Sequence, residues 1–100
     1  MAEVIWLDAA LRDIEELAEF IARDSVVYAD RTVANIFESA EILTLFPRAG
    51  KKIPEKNDPK YREIQVPPFR LLYKLDGVQP IVLAIIHSKR EATKLIKKLR

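Results

Sequence analysis

The spacing of hydrophobic residues changes once along this chain, at Pro47, and that change limits the kind of fold it can reach. Up to residue 46 the apolar positions recur every three or four residues, the period of a helix packed on one side. Beyond residue 59 they fall into short runs with a period of two, the pattern of strands. Helical pattern and strand pattern are segregated, not alternated, which points to an α+β architecture.

Residues 3–7, with Trp6 among apolar neighbours, form a strand candidate. Asp8 offers an N-cap, and Asp13, Glu15 and Glu16 fall in the early turns that follow, where a helix dipole favours negative charge. Leu11, Ile14, Leu17, Ala18 and Ile21 give residues 9–23 one apolar side. Asp24-Ser25 interrupts that helix, and Ser25 can cap the next, over residues 26–46, with Ala29, Val33, Ile36, Phe37, Ala40 and Leu43 as its buried stripe. Two helices joined by so short a turn lie antiparallel.

After Pro47, Gly50 and Pro54 mark a loop that Asn57-Asp58-Pro59 closes. Residues 60–66, 69–75 and 81–87 read as strands, the first two separated by Pro67-Pro68 and the last two joined by a hairpin at Asp76-Gly77. In the middle strand Phe69, Leu71, Tyr73 and Leu75 share one face, and Arg70, Leu72 and Lys74 the other. The run 81–86 is apolar on both faces, as a central strand requires. Ser88-Lys89-Arg90-Glu91 has the form of a capping box and opens a basic helix to residue 100, with Leu95 and Leu99 on one side. The expected order is β-α-α-β-β-β-α: one domain over residues 1–100, a helical hairpin on a small, mainly antiparallel sheet.

Composition narrows the function classes. A chain of 100 residues that is 49% hydrophobic and 32% charged has globular composition and one core's worth of apolar surface. With no cysteine, thiol catalysis, disulfide scaffolds and zinc–cysteine sites are excluded. The longest apolar run, 81–86, is far short of a membrane span, and the first residues lack the pattern of a secretory signal, so a cytoplasmic location is expected. The net charge of +2 conceals an asymmetry: residues 1–46 carry three basic and ten acidic groups, net −7, and residues 47–100 fourteen basic and five acidic, net +9. Such a division suggests an acidic partner for the second half, nucleic acid or acidic protein; ordinary solubilising charge is the plain alternative.

The candidate site residues follow from that second half. Arg70 points to the sheet face away from the helices, with His87, Lys89 and Arg90 brought close by the hairpin and Arg62 able to join from the neighbouring strand. Arginine forks suit phosphate or carboxylate; the alternative is solvated charge on an open sheet face. His87 is the only histidine, a lone acid/base candidate or a structural strand-end residue. Lys94, Lys97 and Lys98 give the last helix a basic face. Asp13, Glu15, Glu16 and Glu19 read as a solvated helix face, and with Gly50 and Gly77 the only glycines there is no glycine-rich phosphate loop. No metal or organic cofactor is implied.

The ordered string of Ile21-Ala22-Arg23-Asp24-Ser25, Leu45-Phe46-Pro47-Arg48-Ala49-Gly50, Arg62-Glu63-Ile64-Gln65-Val66, Phe69-Arg70-Leu71-Leu72-Tyr73 and Ile85-Ile86-His87-Ser88-Lys89-Arg90 resembles the RelE/ParE superfamily of toxins from type II toxin–antitoxin modules, also known as plasmid stabilisation proteins. The resemblance covers nearly the whole chain. It implies a helical hairpin against an antiparallel sheet and a cognate antitoxin that wraps the toxin. An amphipathic or acidic antitoxin segment is expected over the sheet edge or the hairpin, meeting Arg62, Arg70 and Arg90. It also implies one of two activities. RelE-like members cut mRNA on the ribosome, whereas ParE-like members inhibit DNA gyrase.

For the RelE-like activity Arg70 and Arg90 resemble the family's phosphate-stabilising arginines, and His87 is the only group available to move a proton. Aligned without gaps, Tyr61 and Glu63 stand where RelE has two lysines, and Ile96 where it has a tyrosine. The pieces Arg62-Glu63-Ile64-x-Val66, His87-x-x-Arg90 and Ile21-Ala22-x-Asp24-Ser25 favour the ParE-like branch, with the basic segment 94–100 contributing the target-binding surface. A non-toxic binding domain descended from such a toxin is the remaining alternative.

Overall fold

The computed structural model describes residues 3–89 and 93–98, with the side chains of 94 and 95 outside that description. Its elements are β1 (Ile5–Trp6), α1 (Asp8–Ala22), α2 (Val26–Leu45), β2 (Lys51–Lys52), β3 (Tyr61–Val66), β4 (Phe69–Asp76), β5 (Gln79–His87) and α3 (Thr93–Lys97). The five strands form one mixed sheet in the order β1-β5-β4-β3-β2, with β1 parallel to β5 and every other neighbour antiparallel.

The helical hairpin forms as its period demands. Ser25, in extended backbone, caps α2 by accepting a 3.0 Å hydrogen bond from the Tyr28 amide. Asp8 does not cap α1: Leu7 occupies the N-cap, and Asp8 is the first helical residue, where its charge still faces the positive end of the dipole. α2 stops at Leu45, one residue before the expected end, because Pro47 disfavours helical backbone at Phe46. Its stripe is narrower than its apolar residues suggest. Ala29, Ile36, Ala40 and Leu43 are buried, Val33 is half-buried, and Phe37 is exposed, leaning on Trp6 at 4.7 Å.

Ala10 and Ile14 of α1, with Ile36 and Leu43 of α2, pack on Leu71, Tyr73, Val82 and Ile85. The opposite sheet face is apolar too: Ile53, Tyr61, Leu72, Leu83, Ala84 and Ile86 are buried there with Ile96 of α3. The face expected to carry a cationic patch, or solvated charge as the alternative, is therefore a second core. The buried residue of α3 is Ile96; the expected pair Leu95 and Leu99, and the Arg90 and Glu91 of the capping box, lie outside the described residues or side chains. Leu83 is an extra residue in β5, since Leu72 pairs with Ala84 and Tyr73 with Val82. This bulge turns Leu83 and Ala84 to the same side.

Two turns set the registers. Gly77, at φ +63°, is the first central residue of a two-residue β4–β5 hairpin that pairs Asp76 with Gln79. Pro67-Pro68, a cis pair, closes β3 onto β4 so that Val66 faces Phe69 and Gln65 faces Arg70. β2 was not expected. Its two exposed lysines pair with Glu63 and Arg62 and make it a short, charged sheet edge. Among the described residues no helix is long and apolar enough to cross a membrane.

Candidate functional site

Among the described residues the predicted cluster of Arg62, Arg70, His87 and Lys89 does not assemble; Arg90, its fifth member, lies outside them. Strand parity is the reason. Residues paired across neighbouring strands share a face, and Arg70 is opposite Gln65 and Ile86, on the α3 side of the sheet. Arg62 is opposite Tyr73, and His87 opposite Phe69, both on the helical-hairpin side. Arg70 is thus separated by the sheet from the two residues expected beside it. Arg90 and the side chain of Lys94 lie outside the described residues; Lys89, Lys97 and Lys98 are exposed.

Arg70 is buried at 8% exposure and is held by carboxylates. Its two terminal nitrogens donate to both oxygens of Glu55, at 3.0 and 2.9 Å, in the bidentate geometry that suits a guanidinium. One of them also donates to Glu63, itself buried, whose other oxygen accepts from the Gln65 side-chain Nε2 and has Lys51 Nζ at 3.9 Å. The hydrogen bonds to Glu55 raise the Arg70 pKa above its already high ordinary value, and the bond from Arg70 lowers that of Glu55. Arg70 accordingly fastens the β2–β3 loop, which carries Glu55, to the sheet.

Arg62 fastens a different segment. Its guanidinium donates to the Gly50 carbonyl at 2.8 Å and reaches the Arg48 carbonyl at 3.4 Å. The buried Tyr73 hydroxyl holds the same corner, donating to the Pro47 carbonyl at 2.8 Å and accepting from the Gly50 amide at 2.9 Å. Burial pushes the Tyr73 pKa up, which keeps the phenol protonated as a donor. Gly50 is required by proximity: a Cβ there would stand 2.6 Å from the Tyr73 ring and 2.7 Å from the Glu63 carbonyl.

His87 belongs to a cleft that no sequence motif announces. It is about 460 Å³ in volume and lies between α1 from Asp13 onward, the start of α2, the start of β4 and the end of β5. Leu17, Phe20, Ile21, Tyr28, Phe69 and Ile85 contribute apolar walls, with Asp13, Glu16 and His87 among them. His87 stacks edge-on against Phe69 at 5.7 Å, and its Nδ1 accepts from the Lys89 amide at 3.1 Å. Asp13 is not simply part of a solvated helix face. β1 ends after Trp6, and beyond it the Asp13 carboxylate accepts from the Ile85 amide at 3.0 Å on the uncovered edge of β5. Phe20, Val26, Val27 and Tyr28 extend the apolar surface outward over the hairpin tip, all exposed. The one signal in the sequence is the run Val26-Val27-Tyr28, apolar residues in a first helical turn that the buried stripe does not use.

The sequence matches the family model described as the ParE toxin of the type II toxin–antitoxin system parDE, over residues 4–92. No curated protein matches it. Among solved structures, a chain of the chromosomal ParDE toxin–antitoxin system of Pseudomonas aeruginosa superposes with a TM-score of 0.73 at 20% identity, covering 89% of this chain and 98% of that one. A chain of the RelBE2 toxin–antitoxin complex of Mycobacterium tuberculosis superposes with a TM-score of 0.63 at 23% identity, covering 86% and 96%. Both share this fold.

Proposed function

Because the chain belongs to the ParE toxin family of type II toxin–antitoxin systems, we propose that it arrests DNA gyrase by protein–protein contact, is neutralised by a cognate antitoxin, and does not cleave mRNA. The observation that carries this reading is the placement of Arg70 and His87. A nuclease that activates a ribose hydroxyl must bring a proton acceptor and a cation to one phosphate. Here the only histidine, His87, lies on the opposite sheet face from Arg70, which two carboxylates engage, and Arg62, on the face of His87, donates to the carbonyls of Arg48 and Gly50.

The positions that resemble RelE's lysines and tyrosine point the same way. Tyr61 and Ile96 are buried in the second core, and Glu63 is the anionic partner of Arg70, so none of the three meets a substrate phosphate. An inhibitor that acts by shape needs no tuned acid–base pair. For the antitoxin, the apolar cleft at the hairpin tip is the fitting seat, since it offers a partner large side-chain pockets. Its Glu16 would select basic residues flanking those anchors, so of the two expected placements this favours an amphipathic segment over the hairpin above an acidic one over the arginines of the sheet.

The test sets the purified chain against gyrase supercoiling and, separately, against mRNA on translating ribosomes, with products mapped by primer extension. Inhibited supercoiling without new mRNA ends is the expected result. Ribosome-dependent mRNA ends with untouched supercoiling would reverse the reading.

A further inference from the structure

The end of α2 carries a second apolar surface, and its construction differs from that of the cleft. Ile42, Leu45 and Phe46 are 48%, 61% and 61% exposed, side by side at the last turn and its cap. Large exposed side chains in a cluster are uncommon unless something covers them. These three stand on a fixed support. The Phe46 amide donates to the Ile42 carbonyl and the Ala49 amide to the Phe46 carbonyl, each at 2.9 Å. Immediately after, Tyr73 and Arg62 hold Pro47, Arg48 and Gly50 by the bonds described above. Hydrogen bonds from two sheet residues therefore hold the backbone that presents an exposed aromatic ring. Preorganised aromatic anchors of this kind contribute strongly to binding, because little freedom remains to be lost.

The cations around this corner come from the loop after α2 and from the sheet edge, while the exposed Glu38 and Glu41 lie one turn back on α2. Arg48, Lys51 and Lys52 are exposed and Arg62 is half-buried behind them. Among the described residues Arg48, Lys52 and Arg62 have no carboxylate partner, the hydrogen bonds of Arg62 going to neutral carbonyls. An apolar knob with unpaired cations on its Pro47 side complements a protein surface that has an apolar socket and acidic groups facing Arg48 and Lys52. Two aliphatic residues flanking the ring favour protein over nucleic acid, whose bases would use the ring face but not Ile42 or Leu45.

We infer that this corner, Ile42, Leu45 and Phe46 with Arg48 and Lys52, is the surface by which the toxin grips its target, an acidic protein face. The inference rests on the reading of the chain as a toxin acting by protein contact. The 17 residue steps along α2 from Tyr28 in the cleft to Leu45 at the corner span about 26 Å at the helical rise of about 1.5 Å per residue. The cleft proposed for the antitoxin and the corner proposed for the target are therefore separate surfaces of the toxin.

The experiment uses the full chain, its antitoxin and purified gyrase, with Phe46→Ser and Arg48→Glu as separate variants. Both side chains are exposed, so thermal midpoints within a few degrees of the parent are expected. Each variant should lose at least tenfold in growth-arrest potency and in gyrase affinity, while antitoxin affinity stays within twofold. Rising salt should weaken gyrase binding by the parent more than by Arg48→Glu. Undiminished growth arrest in both variants overturns the corner, as does a parallel loss of antitoxin binding, which would make it the antitoxin's surface. If the parent arrests growth without touching gyrase, the identity of the target is refuted. Loss of arrest in the variants would then still support the corner.

Discussion

Replacing Arg70 by methionine keeps much of the length of the side chain and removes the charge that two carboxylates share. Glu55 is partly exposed, at 23% for its side chain, and can turn to water. Glu63 cannot, with 2% of its side chain exposed. It would retain only the Gln65 side-chain Nε2 and Lys51 at 3.9 Å. Breaking a buried ion pair from one side costs about 3–5 kcal/mol, and these two remaining contacts place the cost near the lower end, about 3 kcal/mol. Against a net stability of about 5–15 kcal/mol, that is a large fraction. At about 4–8 °C per kcal/mol for a domain of this length, the thermal midpoint should fall by about 12–24 °C, measured by circular dichroism. The double variant Arg70→Met/Glu63→Leu leaves no unpaired buried charge and should recover to within about 1 kcal/mol of the parent. An Arg70→Met variant as stable as the parent would refute the reasoning. It would mean that Arg70 is not committed to Glu63, and would return it to the pool of arginines free to meet a phosphate.

Two further predictions concern the same scaffold. Gly50→Ala places a methyl group against the Tyr73 ring and the Glu63 carbonyl, neither at the end of a flexible chain, so a loss of about 1–3 kcal/mol is expected in urea unfolding; an unchanged midpoint would show that the corner yields easily. The pH dependence has a definite sign: the folded-state pKa of Glu55 is lowered by Arg70, so its contribution is present above the unfolded value of about 4.3 and is lost as pH falls through the lower folded value. Glu55→Gln should therefore unfold at lower urea than the parent at pH 7, with the difference narrowing as pH drops below about 4. A constant difference down to pH 2 would contradict this.

Much of the fold could be read from the sequence because its signals are local. The capping serine, the three-and-four spacing, Asp76-Gly77 and the apolar run 81–86 each act within a few residues, and α1, α2, β4 and β5 lie within one or two residues of their expected bounds. β2 escaped notice for a physical reason. Two lysines are too few to show alternation, and it is their pairing with Glu63 and Arg62 that makes them a strand. The second core was missed because one of its buried side chains, Ile96, comes from a helix that reads as basic, and another, Ile53, from a loop.

The site is where local reading failed, and the failure can be traced to register. With Pro67-Pro68 as a two-residue connection, Val66 must face Phe69, Gln65 must face Arg70, and counting back puts Arg62 opposite Tyr73. Tyr73 and Arg70 are three residues apart on one strand, an odd number, so Arg62 and Arg70 emerge on opposite faces. That count through the turn uses nothing but the sequence and the alternation of side chains. The ion pairs that neutralise Arg70 are less accessible to such counting. Glu55 is fifteen residues away on a loop with no period, and only the folded loop brings it within 3.0 Å. The same arginine content that read as a patch for an acidic ligand is thus divided by topology: Arg70 is committed inside the molecule to Glu55 and Glu63, whereas Arg62, bonded only to carbonyls, leaves its charge to the corner at the end of α2. That division takes the charge of Arg70 off the sheet face and leaves the charge of Arg62 beside the apolar corner at the end of α2.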